Sequence, residues 1–543
     1  MSDYLTKNIV KPIPQTQQES PLQVPNSAGG FSFTVTPMDQ LRRFLILGSE
    51  GGTYYVGESD LTKRNLDNIK NLIANDPNAA VDLASTISLE GRSYRNDAAL
   101  LVLAMVMTFG TDKAKAYART KVNLIARTAT HLFTYIKFLK ALAPGTGLGT
   151  SRNRSIANWY ESQDPEKLAY QVVKYRQREG WTHRDAMRQS RPKDINSSIG
   201  DFVWGREHAA HDDLRIIEGF KTVQKAENVK DVLKALNFWK ELPWEAIPTQ
   251  FLKSDEVWKG LFYNGQLNGQ ALVRNITRLA KLKAFDDLQF ANDYATKLTD
   301  EQMIAKTRLH PLNFLNALTV YTDGQIDRGN RDAWVSSYYY NGRRKDWDTS
   351  SIILDALNEG VHLSFKHIEP TNMRTLLAVD VSGSMSSSIG MGLDLTAAQI
   401  SGVMASVIAR TEPLHQIMGF ASGFKDLGIS AKMDLKTVMN KVQDHNFGTT
   451  DCGLPMTWAL DNKREFDTFI VITDSETYAG RIHPHKALQN YRNRMGIDAR
   501  MIVVGVTSTD FTIADPNDKG MLDVVGCDAN LPKLVAEFSK GNI

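Results

Sequence analysis

Cysteine is nearly absent from this 543-residue chain: Cys452 and Cys527 are its only two. That excludes a disulfide scaffold and a cysteine-rich zinc site, and suits a reducing compartment. Long apolar runs are missing too, since the longest, Ala98 to Phe109, is too short to span a bilayer. No basic-then-apolar leader opens the sequence: Pro12 and Pro14 follow Lys11, and a polar Gln/Ser-rich stretch then runs to Gly30. A soluble, cytoplasmic protein with a flexible tail over residues 1–30 is expected. There is no fixed-period repeat, so periodicity alone does not predict a solenoid. A hydrophobic content of 42% is nevertheless that of a globular chain, and its length allows two or more domains.

The net charge of +3 is small but unevenly spread. Residues 371–543 carry 16 Lys+Arg against 19 Asp+Glu, a net −3, which leaves +6 on the remainder. Between Lys113 and Lys193 there are 17 basic and only 5 acidic residues. An excess this local points to a polyanionic partner.

The hydrophobic pattern changes where the charge does. Up to about residue 365 it is mainly helical; Leu272, Ile276 and Leu279 form one apolar stripe, with similar segments at 229–239 and 310–320. Beyond Glu369-Pro370, buried strands are expected at 374–380, 417–421, 466–474 and 499–506. Helices are expected at 396–410, 435–442, 485–495 and 531–539. This alternation predicts a doubly wound parallel sheet.

Chemistry concentrates at the end of the first of these strands. Leu376 to Val379 runs into Asp380-Val381-Ser382-Gly383-Ser384, which places one carboxylate and two hydroxyls at the carboxyl edge of the sheet, where open α/β folds bind ligands. A hard divalent cation wants about six oxygens. Further donors are available in the loop Gly448-Thr449-Thr450-Asp451-Cys452 and in Thr473-Asp474, where the strand 466–472 ends. D-x-S-x-S, a loop threonine and a strand ending in Thr-Asp resemble the metal-ion-dependent adhesion site of von Willebrand factor A domains. The resemblance implies that Asp380, Ser382, Ser384, Thr450 and Asp474 hold Mg²⁺ or another divalent cation directly or through water, with Thr449 an alternative to Thr450. A haloacid-dehalogenase-type phosphatase would need a second aspartate at Ser382, and Ser-Gly-Ser does not match a G-x-S-x-G nucleophile elbow.

Longer segments resemble a specific family, the Ro sixty-kilodalton autoantigens and their bacterial relatives. They are residues 48–55 (GSEGGTYY), 130–134 (THLFT), 174–183 (KYRQREGWTH), 448–456 (GTTDCGLPM) and 511–516 (FTIADP). The resemblance implies a multidomain protein: an all-α TROVE ring of HEAT-like hairpins over residues 31–365, then an α/β doubly wound von Willebrand factor A domain over 366–543 that joins the ring's ends. It further implies a non-enzymatic, monomeric RNA-binding scaffold. Y RNA would bind the outer surface, single-stranded ends of misfolded or decaying RNA would enter the central hole, and polynucleotide phosphorylase would be an exoribonuclease partner in RNA quality control and ribosomal RNA maturation.

The residues support the RNA reading independently. Lys174, Arg176, Arg178, His183, Arg184, Arg188 and Arg191 lie close together with Tyr175 and Trp181 among them. Lys174 and Arg178, at i and i+4, are expected to share a helix face and bracket a phosphate backbone. Arginine suits this role because its guanidinium grips phosphate bidentately and stacks on bases. By resemblance, Lys174 and Arg178 match basic residues of the Y RNA surface, and Arg191 stands where animal relatives have histidine. His183 is open between RNA contact and packing, while Tyr175 and Trp181 are expected in the core. Arg127 and His131 are secondary RNA candidates. Arg152 and Arg154 are expected in a solvated linker, and 196–213 as a loop insertion.

The role of the cation remains open at this level. As a docking point it would accept an acidic ligand's carboxylate; as a catalyst it would make the protein a Mg²⁺-dependent phosphoesterase or ribonuclease, for which Glu476 and Asp451 are the nearby carboxylates. In a third reading the basic region docks acidic proteins.

Overall fold

A computed structural model describes residues 12–48, 58–145, 147–206, 214–326, 343–365, 369–389, 393, 395–443 and 448–543. The matched segment 48–55 lies almost wholly outside them, and so does 207–213 of the expected insertion. The chain divides into two compact units: residues 1–68, 92–94 and 365–543 in one, 69–91 and 95–364 in the other.

The first unit is built on a six-stranded sheet. Across it the strands run Met521–Val525, Arg500–Gly505, Thr468–Thr473, Thr375–Asp380, His415–Phe420 and Phe424–Asp426. The first five are mutually parallel and only the Phe424–Asp426 edge is antiparallel. Thr375–Asp380 and Thr468–Thr473 are fully buried along their length, as expected where helices cover both faces of a sheet and alternation gives way to a continuous apolar run. Ala397–Thr411 begins with a capping box in which Thr396 and Gln399 satisfy each other's backbone N–H groups. It packs on Leu435–Gln443 so closely that a Cβ at Gly402 would lie 2.8 Å from Val442 Cγ1. On one face, Leu376, Ala378, Phe469, Val471, Met501 and Val503 form a core with Met456 and Tyr491.

The expected flexible tail is corrected over its described part. Gln23–Pro25 and Phe31–Thr34 pair antiparallel, and the second strand continues onto Phe511–Thr512. The following helix, Pro37–Leu47, starts with Pro37 behind the capping hydroxyl of Thr36. Residues 12–48 therefore belong to the unit that holds the sheet, not to the helical one. Strands of three and four residues are too short to carry a reliable period, and the partner that ties them to the sheet unit, Phe511–Thr512, lies hundreds of residues away.

The second unit is helical, with antiparallel helices packed on their neighbours. It opens with Pro77–Glu90, Asp97–Phe109, Asp112–Ile125 and Ala129–Ala141, and ends with Pro311–Asp323 and Ser351–Leu363. Polar ends of large core side chains find backbone acceptors: Trp258 Nε1 donates to Leu252 O at 3.0 Å, and Tyr294 Oη to Leu272 O at 2.6 Å. The Leu272–Leu279 stripe spans two short helices, Gln270–Arg274 and Ile276–Lys281, that meet at Asn275. The expected linker carrying Arg152 and Arg154 is instead part of the helix Gly149–Glu161, and Ser197–Trp204 of the expected insertion is also helical. Among the described residues, no helix is long and apolar enough to cross a membrane.

Candidate functional site

The sheet reverses its winding between Thr375–Asp380 and Thr468–Thr473, neighbours whose helical connections leave in opposite directions. Their carboxyl ends form a crevice of the kind that holds ligands in doubly wound folds. Asp380, Ser382, Ser384 and Asp474 meet there, all buried. Asp380 Oδ1 accepts from Ser382 N at 2.9 Å, and Oδ2 accepts from Thr473 Oγ1 at 2.6 Å. The hydroxyls of Ser382 and Ser384 are 3.1 Å apart, and Ser384 acts to hold the Asp474 pKa down.

Thr450 is tied through its backbone to the loop that follows Asp474. Its carbonyl accepts from Tyr478 N at 3.1 Å and Ala479 N at 3.0 Å, and Cys452 Sγ lies 3.7 Å from Thr473 Oγ1. Thr450 is buried while Thr449 is exposed, so the two alternatives are not equivalent.

Two acidic side chains share this buried place. Burial, and then the neighbouring Asp474 carboxylate, push Asp380 well above the usual carboxylate range; burial raises Asp474 too. Among the described residues, no Lys, Arg or His forms an ion pair with either, and no three or more His, Cys, Asp and Glu side chains are grouped so as to hold a metal ion by themselves. Two buried carboxylates and several hydroxyls thus lack a counter-charge, a donor set that fits a hard divalent cation and not a soft one.

Each of the two nearby candidates for a general base has one oxygen engaged, while Glu476 Oε1 is buried without a hydrogen-bond partner among the described residues. Glu476 Oε2 accepts from Ser27 N at 2.8 Å and Ala28 N at 3.2 Å, while Asp451 Oδ1 accepts from Gln15 Nε2 at 2.7 Å and Gly453 N at 2.8 Å. These bonds join the loops to the N-terminal segment.

On the helical unit the basic cluster is arranged differently from the expectation. The helix Pro165–Lys174 ends at Lys174, and Gln177–Arg178 pairs with Trp181–Thr182 in a hairpin. Glu179 and Gly180 both have positive φ, 54° and 75°, at its two-residue turn. A turn of that kind matches strand twist and favours glycine. Lys174 and Arg178 therefore do not share a helix face. Lys174 is half-buried, 5.3 Å from the ring centroids of both Tyr170 and Tyr175. Burial acts to lower its pKa, but Tyr175, Tyr170 and Glu245 outweigh that and raise it.

Thr182 and Asp185 form a capping box that starts the helix His183–Ser190. Its inner face carries His183, which is buried: Nδ1 lies 3.0 Å from Tyr160 Oη and the ring packs edge-on to Phe133 at 4.9 Å. Burial lowers its pKa to about 4. His183 is a neutral core residue, so the RNA-contact reading is corrected. The outer face carries exposed Arg184 and Arg188, 5.5 and 6.0 Å from the Trp204 ring centroid, and exposed Arg191 caps the helix at φ 51°.

Tyr175 and Trp181 are half-buried, not core residues. Lys140 Nζ sits 4.3 Å from the Trp181 ring centroid, and Lys137 pairs with Glu179 at 2.7 Å. These lysines and Trp204 escaped the sequence reading, although Lys137 and Lys140 closely follow the THLFT segment. Arg127 is half-buried; burial and nearby Arg308 lower its pKa. Burial, with a smaller effect of Arg127, lowers His131 to about 3.

A doubly wound sheet with D-x-S-x-S at its switch point defines a von Willebrand factor A-type domain, here in one chain with a helical-hairpin unit. The Ro60 vWA domain model matches residues 374–539, and the TROVE domain model matches 24–234 and 233–338. RNA-binding protein RO60 of Deinococcus radiodurans is 36% identical, covering 99% of this chain and 100% of that protein. RNA-binding protein RO60 of Caenorhabditis elegans is 31% identical, covering 96% and 90%. The crystal structure of the D. radiodurans RO (RSR) protein superposes with a TM-score of 0.65 at 33% identity, over 94% of this chain and 100% of that one. The chain belongs to the Ro60 family of TROVE and von Willebrand factor A proteins.

Proposed function

We propose that this protein is a cytoplasmic, monomeric RNA-binding scaffold. In this reading a small Y RNA docks on the outer surface of a helical ring, single-stranded ends of misfolded RNA enter its hole, and an exoribonuclease such as polynucleotide phosphorylase acts on the bound RNA. The observation that carries it is the exposed face of His183–Ser190, where Arg184 and Arg188 flank one tryptophan and Arg191 and Arg178, both exposed, stand nearby in sequence. Guanidinium groups grip phosphate and stack on bases, and an aromatic ring among them supplies a base-stacking face. The names of the relatives agree with this class of ligand.

Asp380, Ser382, Ser384, Thr450 and Asp474 would hold Mg²⁺ or a similar ion as a docking point for an acidic ligand. When bound, the ion supplies positive charge for a partner carboxylate; the chain's residues orient it and shield it from water. Binding is favoured over phosphoester cleavage because Glu476 Oε2 and Asp451 Oδ1 are committed to holding the N-terminal segment, which fixes both side chains in place.

The test is to purify the protein from its native host and sequence the RNA that co-purifies, beside a variant with Arg178, Arg184, Arg188 and Arg191 changed to alanine. A discrete stem-loop RNA enriched with the wild type and lost from the variant is the expected result. If neither preparation enriches a discrete RNA, the Y RNA role is wrong. Mg²⁺-dependent RNA cleavage abolished by Asp380→Ala would replace the scaffold reading with the enzymatic one.

A further inference from the structure

Gln15 is fully buried, which is unusual for a glutamine near a chain terminus, and every polar atom of it is used. Nε2 donates to Asp451 Oδ1 at 2.7 Å and to Ile482 O at 2.9 Å. Oε1 accepts from Thr477 Oγ1 and from Gly480 N, the latter at 3.1 Å. The main chain adds two bonds, Gln15 N to Gly480 O and Phe31 N to Gln15 O, each at 2.9 Å.

Its partners belong to two loops. Asp451 follows Thr450, and Thr477 and Gly480 lie on the loop that leaves Asp474. Thr477 Oγ1 also accepts from Cys452 N at 3.1 Å, so the loops are tied to each other where Gln15 enters. Gly480 leaves the room for this: a Cβ there would collide with both Gln15 Nε2 and Asp451 Oδ1. Farther along the segment, Asn26 Nδ2 donates to Thr477 O at 2.7 Å, Ser32 Oγ donates to Ser475 O at 3.1 Å, and the Ser27 and Ala28 amides hold Glu476. Each residue from Ser475 to Thr477, immediately after the candidate ligand Asp474, is thus bonded to the segment 26–32.

We infer that the N-terminal segment is a built-in part of the metal-site architecture, with Gln15 the positioning residue that fixes the Thr450 loop against the loop after Asp474. Gln15 precedes both family-model matches, which begin at residue 24 and at residue 374. Side chains behind metal ligands typically set affinity by holding the ligands in place, and losing one costs about 10- to 100-fold in metal binding.

This inference rests on the cation reading of the site, and the experiment separates the two. Mn²⁺ binding to the full chain is titrated by electron paramagnetic resonance for the wild type, Gln15→Met, Gly480→Ala and Gln18→Ala. Gln15→Met keeps the volume but removes all four side-chain bonds; Gly480→Ala leaves Gln15 in the chain but takes its space. Exposed Gln18, which donates to Gln23 O, is the control in the same segment.

The expected result is saturable wild-type binding, unchanged in Gln18→Ala and weakened about tenfold or more in the other two. Thermal unfolding in EDTA should still show a cooperative transition for the variants, which distinguishes displaced ligands from lost fold. Should Gln15→Met fail to fold, Gly480→Ala carries the test alone. Wild-type binding with unchanged affinity in the folded Gln15 and Gly480 variants would overturn the inference. Absence of saturable wild-type binding would instead overturn the cation reading.

Discussion

Arg43 and Asp523 form a two-pronged ion pair: guanidinium Nη2 donates to both carboxylate oxygens, at 2.8 and 2.6 Å. Nη1 donates to the carbonyls of Thr509 at 3.0 Å and Phe511 at 2.9 Å, and Thr512 Oγ1 donates to Asp523 at 2.6 Å. One buried side chain from the helix Pro37–Leu47 thereby reaches the edge strand of the sheet and the loop beside it.

Breaking that pair is expected to cost more than replacing it. Arg43→Met leaves the Asp523 carboxylate without its charge partner, a change worth roughly 3–5 kcal/mol when the site is fully buried and toward the lower figure here, where Asp523 is 20% exposed. Arg43→Met with Asp523→Leu should recover part of the loss. Urea unfolding, followed by hydrogen exchange at residues 521–525, reads the affected unit. Equal stability of the single and double variants would show that Asp523 stays solvated without Arg43.

Cation binding should appear as stability. A ligand that binds only the folded state adds about 2.7 kcal/mol at a concentration one hundred times its Kd. Mg²⁺ or Mn²⁺ should therefore raise the thermal midpoint of the wild type. Asp380→Asn removes one of two neighbouring buried charges, so it should lose the cation response while melting no lower than the wild type in EDTA. A variant that still responded to the cation would remove Asp380 from the ligand set.

His183 gives a pH signature with a definite sign. Its folded pKa of about 4 lies below the ordinary unfolded value of roughly 6.5, so between those limits the unfolded chain binds more protons. The contribution of the neutral imidazole is complete above pH ~6.5 and is lost by about 1.4 kcal/mol per pH unit as pH falls toward 4. His183→Leu should flatten this part of the stability profile, whatever it does to absolute stability through Tyr160. An unchanged slope would mean that His183 is accessible to protons in the folded protein.

The placing of the D-x-S-x-S turn at the carboxyl edge of the sheet was legible because its sequence signal is local. Asp380, Ser382 and Ser384 are three residues of one turn, and the strands that deliver them are buried on both faces, so they read as unbroken apolar runs. The arginines on His183–Ser190 were legible as a charge excess, but not their geometry. The hairpin at 177–182 has strands of two residues, too short for any period to override the apparent i, i+4 spacing of Lys174 and Arg178. The burial of His183 was also invisible, since it depends on Tyr160 and Phe133 from other helices. Gln15 was beyond reach in principle: nothing local distinguishes a glutamine that bonds to Asp451 from one in a solvated tail.

The revised geometry ranks the basic residues by how much RNA affinity each should carry. Arg184, Arg188 and Arg191 are exposed, the first two lie beside one ring, and none has an acidic partner among the described residues, so they can approach phosphate without breaking such a pair. Lys174 is half-buried between two tyrosines with Glu245 nearby, and a phosphate would have to displace that environment. Each lost phosphate contact lowers the slope of log K against log salt by about 0.7 for single strands and 0.9 for duplex. Changing all three arginines to alanine should therefore reduce the slope by roughly 2 to 3 if each makes one contact, while Lys174→Met should change it by well under 1. Fluorescence anisotropy with a labelled stem-loop RNA over a salt series measures both. A larger slope change for Lys174→Met than for the arginine variant would move the RNA surface from His183–Ser190 to the Tyr170–Tyr175 side of the hairpin.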